Sequence, residues 1–207
     1  MVQHGHLSLQ NYLLRTAHCK ALMKALHMSK RQENQMFNSV TLRNNNLKDT
    51  DLAQIIQGLN QQNYIKKLQI AENEVGLKSI AEISLLISRK KPYQLKHLIL
   101  MDCKMSSKVV DSLLAGLNSR SNLYFLSLGK LIMTEPHLEE FITFLSSSVS
   151  LRKLSLQWCS LKQQTQEGFM PLLECLGKNR RIRNINLAWT NLVDMNKGYK
   201  KQGKFEL

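Results

Sequence analysis

The sequence of 207 residues is poor in several residue types, and each shortage excludes a class of protein. Only 3 prolines and 9 glycines exclude collagen-like and low-complexity chains, and 4 cysteines are too few for a disulfide scaffold. No apolar run approaches the roughly 18 residues of a membrane-spanning helix, and the N-terminal residues lack the pattern of a secretory signal. We therefore expect a globular protein of the cytoplasm that has no contact with a membrane.

Acidic residues are also scarce. The chain has 15 Asp and Glu against 29 Lys and Arg, which gives a formal net charge of +14. A surface with this excess of positive charge favours a partner of opposite charge, and charge alone leaves open a nucleic acid, an acidic protein surface or anionic lipid.

Leucine, by contrast, is abundant, with 36 copies, and an internal repeat explains the excess. The pattern L-x-x-L-x-L-x-x-N/C-x-L places apolar residues at positions 1, 4, 6 and 11 and a small polar residue at position 9. It recurs at intervals of 28 to 31 residues, with copies beginning at Phe37, Ile65, Leu95, Leu123, Leu151 and Ile182. A degenerate copy precedes them, with Leu7, Leu9 and Leu14 at the matching positions. The apolar positions predict a shared interior of stacked units.

The second half of each copy predicts a helix of two to three turns. Leu113, Leu114 and Leu117, for example, recur at the helical period. Pro136 falls in a predicted first turn, where its missing N–H is tolerated. We expect the helix N-caps at Asp49, Thr50 or Asp51, at Ser106 or Ser107, and at Thr134. Residues 13–28 predict an amphipathic helix that caps the N-terminal end.

With a short strand, a turn and a helix in each unit, the chain resembles the leucine-rich repeat proteins. Its repeat interval is similar to that of the ribonuclease-inhibitor-like subfamily. The resemblance implies an α/β solenoid, a right-handed horseshoe with a parallel β-sheet on the concave face and helices on the convex face. We divide the chain into an N-terminal degenerate repeat and capping helix (1–36), six leucine-rich repeats (37–194) and a basic C-terminal tail (195–207).

Position 9 needs a side chain that bonds the backbone where the chain leaves each strand. Asn45 and Asn73 can do so with an amide, and Cys103, Cys159 and Thr190 more weakly with a thiol or hydroxyl. Leu131 cannot, so we expect the turn after Leu128 to be irregular, with Gly129 helping it to bend.

The four cysteines are interpreted mainly as structural. Cys103 and Cys159 are two repeats apart, and a distance of about 10 Å prevents a disulfide. We expect them, and Cys175, to be buried thiols. For Cys19 two interpretations stay open, a buried structural thiol and a reactive thiol.

Motifs of enzymes are lacking. We find no phosphate-binding loop, dinucleotide fingerprint, nucleophile elbow or zinc-protease signature. The spacing of His and Cys does not suit zinc, and we interpret His4, His6, His18 and His27 as surface residues. The sequence therefore predicts a protein that is not an enzyme and uses no cofactor or metal.

Position 8 carries both tryptophans of the chain, Trp158 and Trp189, in adjacent copies. We expect their indoles to lie about one strand spacing apart on the sheet face or its rim, in a patch shared with Lys153, Gln157, Asn184 and Asn186. Exposed stacked indoles are typical of a binding hot spot. The alternative is that they cover the open end of the solenoid against the tail, on Tyr199 or Phe205.

Basic residues gather where each helix returns to the next strand, at residues 30–31, 66–67, 89–91, 120, 152–153 and 178–183. The repeated phase predicts a stripe along one rim. Helix C-termini attract cations and account for about half of these residues. Arg180, Arg181 and Arg183, with Lys200 and Lys201 in the tail, exceed that expectation and indicate an acidic partner.

These observations favour a non-catalytic adaptor or scaffold, a structural subunit of a larger intracellular assembly that binds protein subunits with acidic surfaces. Similar repeats occur in axonemal proteins, such as the leucine-rich repeat subunit of the nexin–dynein regulatory complex. The resemblance thus implies tubulin or an axonemal complex as a partner, and the cytoskeleton or cilium as a location. The alternative is binding of RNA or ribonucleoprotein along the basic rim and tail.

Overall fold

The computed structural model describes residues 2–3, 5–29, 37–62, 64–89, 95–159 and 166–190. Its strands are β1 (Val2–Gln3), β2 (Gly5–Gln10), β3 (Phe37–Arg43), β4 (Lys67–Ala71), β5 (His97–Met101), β6 (Phe125–Gly129), β7 (Lys153–Ser155) and β8 (Asn184–Asn186). Its helices are α1 (Thr16–Ser29), α2 (Asp49–Asn60), α3 (Leu77–Ile87), α4 (Ser107–Arg120), α5 (Glu135–Ser147) and α6 (Gln166–Lys178). From β2 onward, strand and helix alternate.

All eight strands form one sheet in chain order. β1 is antiparallel to β2, whereas β2 to β8 are parallel to one another. Parallel crossovers are right-handed, and here each one steps to the next strand in the same direction, so the helices all lie on one face of the sheet. Each helix packs on the helix of the next unit. The fold is therefore an α/β structure with one parallel sheet alternating with helices, compatible with a repeat solenoid.

The strand register matches the repeat found in the sequence. Val40 pairs with Leu68, which pairs with Leu98, so that residues at position 4 of successive copies are neighbours. The same phase continues through Leu126 and Leu154. In the N-terminal copy, Leu7 and Leu9 pair with Val40 and Leu42. The sheet thus places equivalent positions of successive copies in rows across the strands.

The interior consists of the predicted apolar positions. Side chains at positions 1, 4 and 6 are buried from the copy at Phe37 to the copy at Leu151, and they join apolar helix residues in one core. The last copy differs, because Ile185 at position 4 is 42% exposed. Our expectation that position 4 of this copy fills the interior was wrong. β8 has a neighbouring strand on only one side within the described residues, so the core thins there.

Asparagines at position 9 support the turns as predicted. Asn73 is buried, and its Oδ1 accepts hydrogen bonds from the N–H groups of Asn45 (3.2 Å) and Leu47 (3.1 Å). Its Nδ2 donates to the carbonyl oxygens of Leu42 (3.2 Å) and Ala71 (2.8 Å). One amide therefore bonds four backbone groups of the turn, of which the carbonyl of Ala71 also accepts a hydrogen bond from the N–H of Asn44.

Cysteine replaces asparagine at position 9 in two later copies, also as predicted. The thiol of Cys159 lies 2.6 Å from the carbonyl oxygen of Leu128, and that of Cys103 lies 3.5 Å from the carbonyl oxygen of Ile70. Burial raises the pKa of Cys103 to about 12 and that of Cys159 to about 11. All four cysteines are free thiols; Cys19 and Cys159 are buried, whereas Cys103 and Cys175 are half-buried, so our expectation of full burial was wrong for these two. Cys103 and Cys159 are thus structural.

The turn after Leu128 is regular, so our expectation of an irregular turn was wrong. Lys130 has a φ of 61°, close to the value of 52° for Asp102 in the preceding copy. The N–H of Lys130 donates to the carbonyl oxygen of Gln157 (3.0 Å), and the N–H of Asp102 donates to that of Gly129 (2.9 Å). These bonds between copies set the turn without a polar side chain at Leu131. Gly129 lies inside β6 and does not bend the chain.

Helix starts agree with the sequence only in part. Thr134 is the N-cap of α5, with Pro136 in the first turn, and Ser106 is the N-cap of α4. At α2 the N-cap is Lys48, so our assignment to Asp49, Thr50 or Asp51 was wrong. α1 begins three residues after the predicted start at residue 13, and Leu13 is 68% exposed.

Candidate functional site

The face of the sheet opposite the helices carries positions 3, 5 and 7, which alternate with the buried positions 4 and 6. Position 8 follows at the carboxyl ends of the strands, and position 2 precedes position 3 at the strand starts. Because the strands are parallel and in register, each position forms a row across the sheet. This open face, with its two edges, is the candidate interaction site.

Position 8 forms the row that we call the position-8 ladder, consisting of Asn11, Asn44, Glu72, Asp102, Lys130, Trp158 and Trp189. All seven residues have a positive φ, between 49° and 63°. The first six donate their backbone N–H to the carbonyl oxygen of position 7 in the next copy, at 2.9 to 3.0 Å. This conformation is unfavourable for a bulky side chain, so the backbone bonds must hold it in place.

Side chains of the ladder interact in neighbouring pairs. Asn44 Nδ2 donates to Asn11 Oδ1 at 3.0 Å, and an ion pair joins Lys130 to Asp102. Glu72 forms its ion pair with Arg43 at position 7, at 2.9 Å. The ladder therefore aligns successive side chains closely enough for direct contact, whatever their chemistry.

Trp158 and Trp189 form the last pair of the ladder. Their ring centroids are 4.9 Å apart and the ring planes differ by 5°, so the indoles are stacked, as the sequence predicts. Trp158 is 46% exposed and Trp189 is 68% exposed. Two large aromatic surfaces thus face solvent at the C-terminal end of the open face. Tyr199 and Phe205, which the alternative prediction places against them, lie outside the described residues.

Two further predicted members of this patch, Gln157 and Lys153, lie at opposite ends of the β7 region, at opposite edges of the sheet. Gln157 directly precedes Trp158, and its Oε1 accepts a hydrogen bond of 3.4 Å from Asn186 Nδ2. Lys153 is exposed at the start of β7, about 16 Å along an extended chain from Trp158. The structure therefore places Gln157 beside the indoles and Lys153 at the opposite edge of the sheet.

Cations and rings gather at that opposite edge, in positions 2 and 3. We call this set the strand-start band, and it consists of Lys66, Lys67, Lys96, His97, Tyr124, Phe125, Arg152, Lys153 and Arg183. Backbone hydrogen bonds of 2.8 to 2.9 Å link position 2 of successive copies from Lys66 to Arg183. Register pairs Lys67 with His97, His97 with Phe125, and Phe125 with Lys153. The band therefore runs across five adjacent strands.

His97 lies at the centre of the band, between two aromatic rings. Its ring centroid is 5.9 Å from that of Tyr124 and 6.2 Å from that of Phe125. Partial burial, followed by the positive charges of Lys67 and Lys153, lowers the pKa of His97. The imidazole is thus disfavoured as a cation, first because it is partly buried and second because its surroundings are already positive.

The other basic residues of the predicted stripe have different locations. Arg89 is half-buried, and its guanidinium donates to the carbonyl oxygens of Asn60 and Gln62. It therefore bonds carbonyl groups at the C-terminal end of α2. Arg181 Nη1 similarly donates to the carbonyl oxygen of Ser148 at 3.5 Å, whereas Arg180 is exposed. Lys200 and Lys201 lie outside the described residues.

Four members of the band were missed in the sequence, namely Lys96, His97, Tyr124 and Phe125. The signal was available, because positions 2 and 3 read down the six copies give a row of mostly basic and aromatic residues. Runs of charge along the chain do not reveal these residues, because they become neighbours only across strands.

Comparison with models of known protein families and with curated proteins finds no match. Within the described part of the chain, no helix has the length and apolar character needed to cross a membrane. Across the same residues, no cluster of three or more His, Cys, Asp or Glu side chains is arranged to hold a metal ion.

Proposed function

We propose that the chain is a non-catalytic leucine-rich repeat adaptor that binds an acidic protein partner within a larger assembly. The observation that carries this proposal is the stacked, exposed pair of Trp158 and Trp189 at the end of the open face. Tryptophan is enriched among residues that dominate binding energy at protein interfaces. The strand-start band adds positive charge along the opposite edge of the same face.

Membership of the leucine-rich repeat family is supported by the agreement between repeat and structure. Each interval of 28 to 31 residues corresponds to one strand and one helix, and position 9 bonds the backbone through Asn45, Asn73 and Cys159. We further propose the horseshoe shape. Thr41, Ser127 and Ser155 on the open face are buried although the helices lie on the other side, as close spacing on a concave surface would produce.

Affinity purification tests the adaptor function. The tagged protein is recovered from its native source after nuclease treatment, and retained partners are identified by mass spectrometry. We expect stoichiometric protein partners that are lost with the Trp158→Asn/Trp189→Asn variant. Asparagine suits the test because Asn44 occupies the equivalent position with a positive φ. Recovery of the same partners with this variant would contradict the role of the indoles.

A matched control removes exposed apolar side chains elsewhere. Leu77 and Leu85 on α3 are 52% and 56% exposed, and they lie on the helix side of the sheet. We expect the Leu77→Ala/Leu85→Ala variant to keep its partners. The axonemal location stays a prediction from the resemblance, and the identity of the retained partners tests it.

Nucleic-acid binding is the second candidate function, and the strand-start band is the observation that favours it, because its cations form a line that a phosphate backbone could follow. This function predicts that retained material disappears with nuclease. It also predicts affinity that falls steeply with salt for any strand of sufficient length.

A further inference from the structure

The strand-start band specifies the partner further, in an inference that rests on the proposed adaptor function. We propose that this band is the docking track for an extended, carboxylate-rich segment of the partner protein, which crosses the strands with its acidic side chains between Lys67 and Lys153 and around His97.

Charge complementarity is the first argument. Positions 2 and 3 of the six copies contain no Asp or Glu, whereas they contain six Lys or Arg residues. Carboxylates of the open face stand at the other edge, where Glu72 pairs with Arg43 and Asp102 pairs with Lys130. The strand starts therefore form a positive edge, at which Lys67 and Lys153 make no ion pair with a carboxylate of the described residues.

Spacing is the second argument. Lys67 and Lys153 are three strands apart, which corresponds to about 14 Å at about 4.8 Å per strand. In an extended polypeptide, side chains on one face recur about every 6.7 Å, so the first, third and fifth residues span about 13 Å. Alternate carboxylates of one short segment can thus meet Lys67, the region of His97 and Lys153 together.

Ring geometry favours a polypeptide over a nucleic acid. Binding of single strands relies on open aromatic faces on which bases stack. Here the rings contact one another, His97 with Tyr124 at a tilt of 38° and His97 with Phe125 edge-on at 76°. The band offers ammonium and guanidinium groups and the hydroxyl of the exposed Tyr124, which are donors suited to carboxylates.

His97 makes this contact sensitive to pH. Among the described residues, the groups that act on it are Lys67 on β4, Tyr124 just before β6, Phe125 on β6 and Lys153 on β7, and none of these is a carboxylate. Partial burial, and then the charges of Lys67 and Lys153, lower the pKa of His97 and so favour its neutral form in the free protein. A bound carboxylate supplies the missing negative charge and raises that pKa, so binding takes up a proton and strengthens as pH falls.

The test measures binding of a fluorescent oligoaspartate of about eight residues to the purified protein, an extended length of about 26 Å. Aspartate is chosen because its carboxylate stays ionised down to about pH 5. We expect Lys67→Gln/Lys153→Gln to weaken binding about three- to tenfold, as expected for two exposed ion pairs. The matched control is Lys78→Gln/Lys108→Gln, which removes the same charge from exposed positions on α3 and α4.

The pH dependence is tested with His97→Asn. Wild-type affinity is expected to rise between about pH 8 and about pH 5.5, whereas the variant should rise clearly less, because lysine and aspartate do not titrate there and the other five histidines are not members of the band. Thermal unfolding of each variant verifies that it is folded, and the Lys67→Gln/Lys153→Gln variant tests the band independently of His97.

Three outcomes would overturn the inference. The first is an equal loss of affinity in the two double variants, which would show that only net charge matters. The second is tighter binding of an oligouridylate of matched length, with loss of that binding in Lys67→Gln/Lys153→Gln, which would assign the band to nucleic acid. The third is capture of the native partner by Lys67→Gln/Lys153→Gln as well as by the wild type. This result would leave the adaptor function intact but would show that the partner does not bind the strand-start band through an acidic segment. Failure of the adaptor function itself appears separately, as the absence of any partner after nuclease.

Discussion

The carboxylate of Asp49, in the first turn of α2, caps the next helix and not its own. Its Oδ1 accepts hydrogen bonds from the N–H of Ser79 (2.8 Å) and from the Ser79 hydroxyl (2.7 Å), and also from the N–H of Gly76 (3.0 Å). A Cβ at position 76 would lie 2.5 Å from Asp49 Cγ, so glycine is needed there. This contact joins two adjacent units at the start of α3.

Asp49→Ala should destabilise the protein by about 1 kcal/mol, the usual cost of losing an N-cap. Partial burial raises the pKa of Asp49, but the hydrogen bonds from Ser79, Lys78 and Gly76 outweigh it, so the pKa is lowered overall. Its stabilising effect is therefore present above the unfolded pKa of about 3.9 and is lost as pH falls through the lower folded value. Denaturant unfolding at several pH values measures this difference. Thr50→Ala, at the exposed neighbouring position, should change stability by less than about 0.5 kcal/mol.

Asn73→Ala should destabilise the protein by about 2 to 4 kcal/mol, because it removes four hydrogen bonds to the backbone, including those to the N–H groups of Asn45 and Leu47. The control is Asn118→Ala on α4, whose amide makes one hydrogen bond of 3.3 Å to the carbonyl oxygen of Glu140. We expect a loss of about 1 kcal/mol or less for the control. Equal losses in urea unfolding would show that position 9 does not support the turns as we conclude.

The indole stack should be measurable as a coupling free energy. A double-mutant cycle with Trp158→Asn and Trp189→Asn is expected to give about 0.5 to 1.5 kcal/mol in stability, as found for aromatic pairs. Glu72→Asn combined with Trp189→Asn is the control, since these ladder positions are four strands apart, about 19 Å. Its effects should add within about 0.5 kcal/mol. A coupling of zero for the indoles would mean that they do not stack in solution.

Thiol alkylation should separate the cysteines. Cys103 and Cys159 have pKa values raised by burial to about 12 and about 11, and burial and then the charge of Asp51 raise the pKa of Cys19. In the native protein near pH 8 these three thiols should react slowly with iodoacetamide, because the thiolate is the reactive form. Half-buried Cys175 should react first. Peptide mass spectrometry gives the order, with denatured protein as the control in which all four react. Rapid labelling of Cys19 would instead support its interpretation as a reactive thiol.

The α/β alternation and the rows of the sheet were predictable because they follow from local signals. Apolar residues at fixed intervals, such as Val40, Leu68 and Leu98, determine which residues face inward, and the constant interval determines the register. The stacking of Trp158 on Trp189 followed from the same interval. The Leu131 turn was not predicted correctly, since bonds from neighbouring copies set its backbone and a motif within one copy does not report them.

By itself, the sequence determined the repeated unit, its buried positions and the row in which each remaining residue stands, because period and hydrophobicity are properties of the chain. Only the tertiary structure decided which side chains of different units meet: Asp49 at the start of α3, and His97 between Tyr124 and Phe125. These contacts depend on the pairing of strands about 4.8 Å apart and on the packing of successive helices. They join residues about 30 positions apart in the chain, so no local pattern of residues records them.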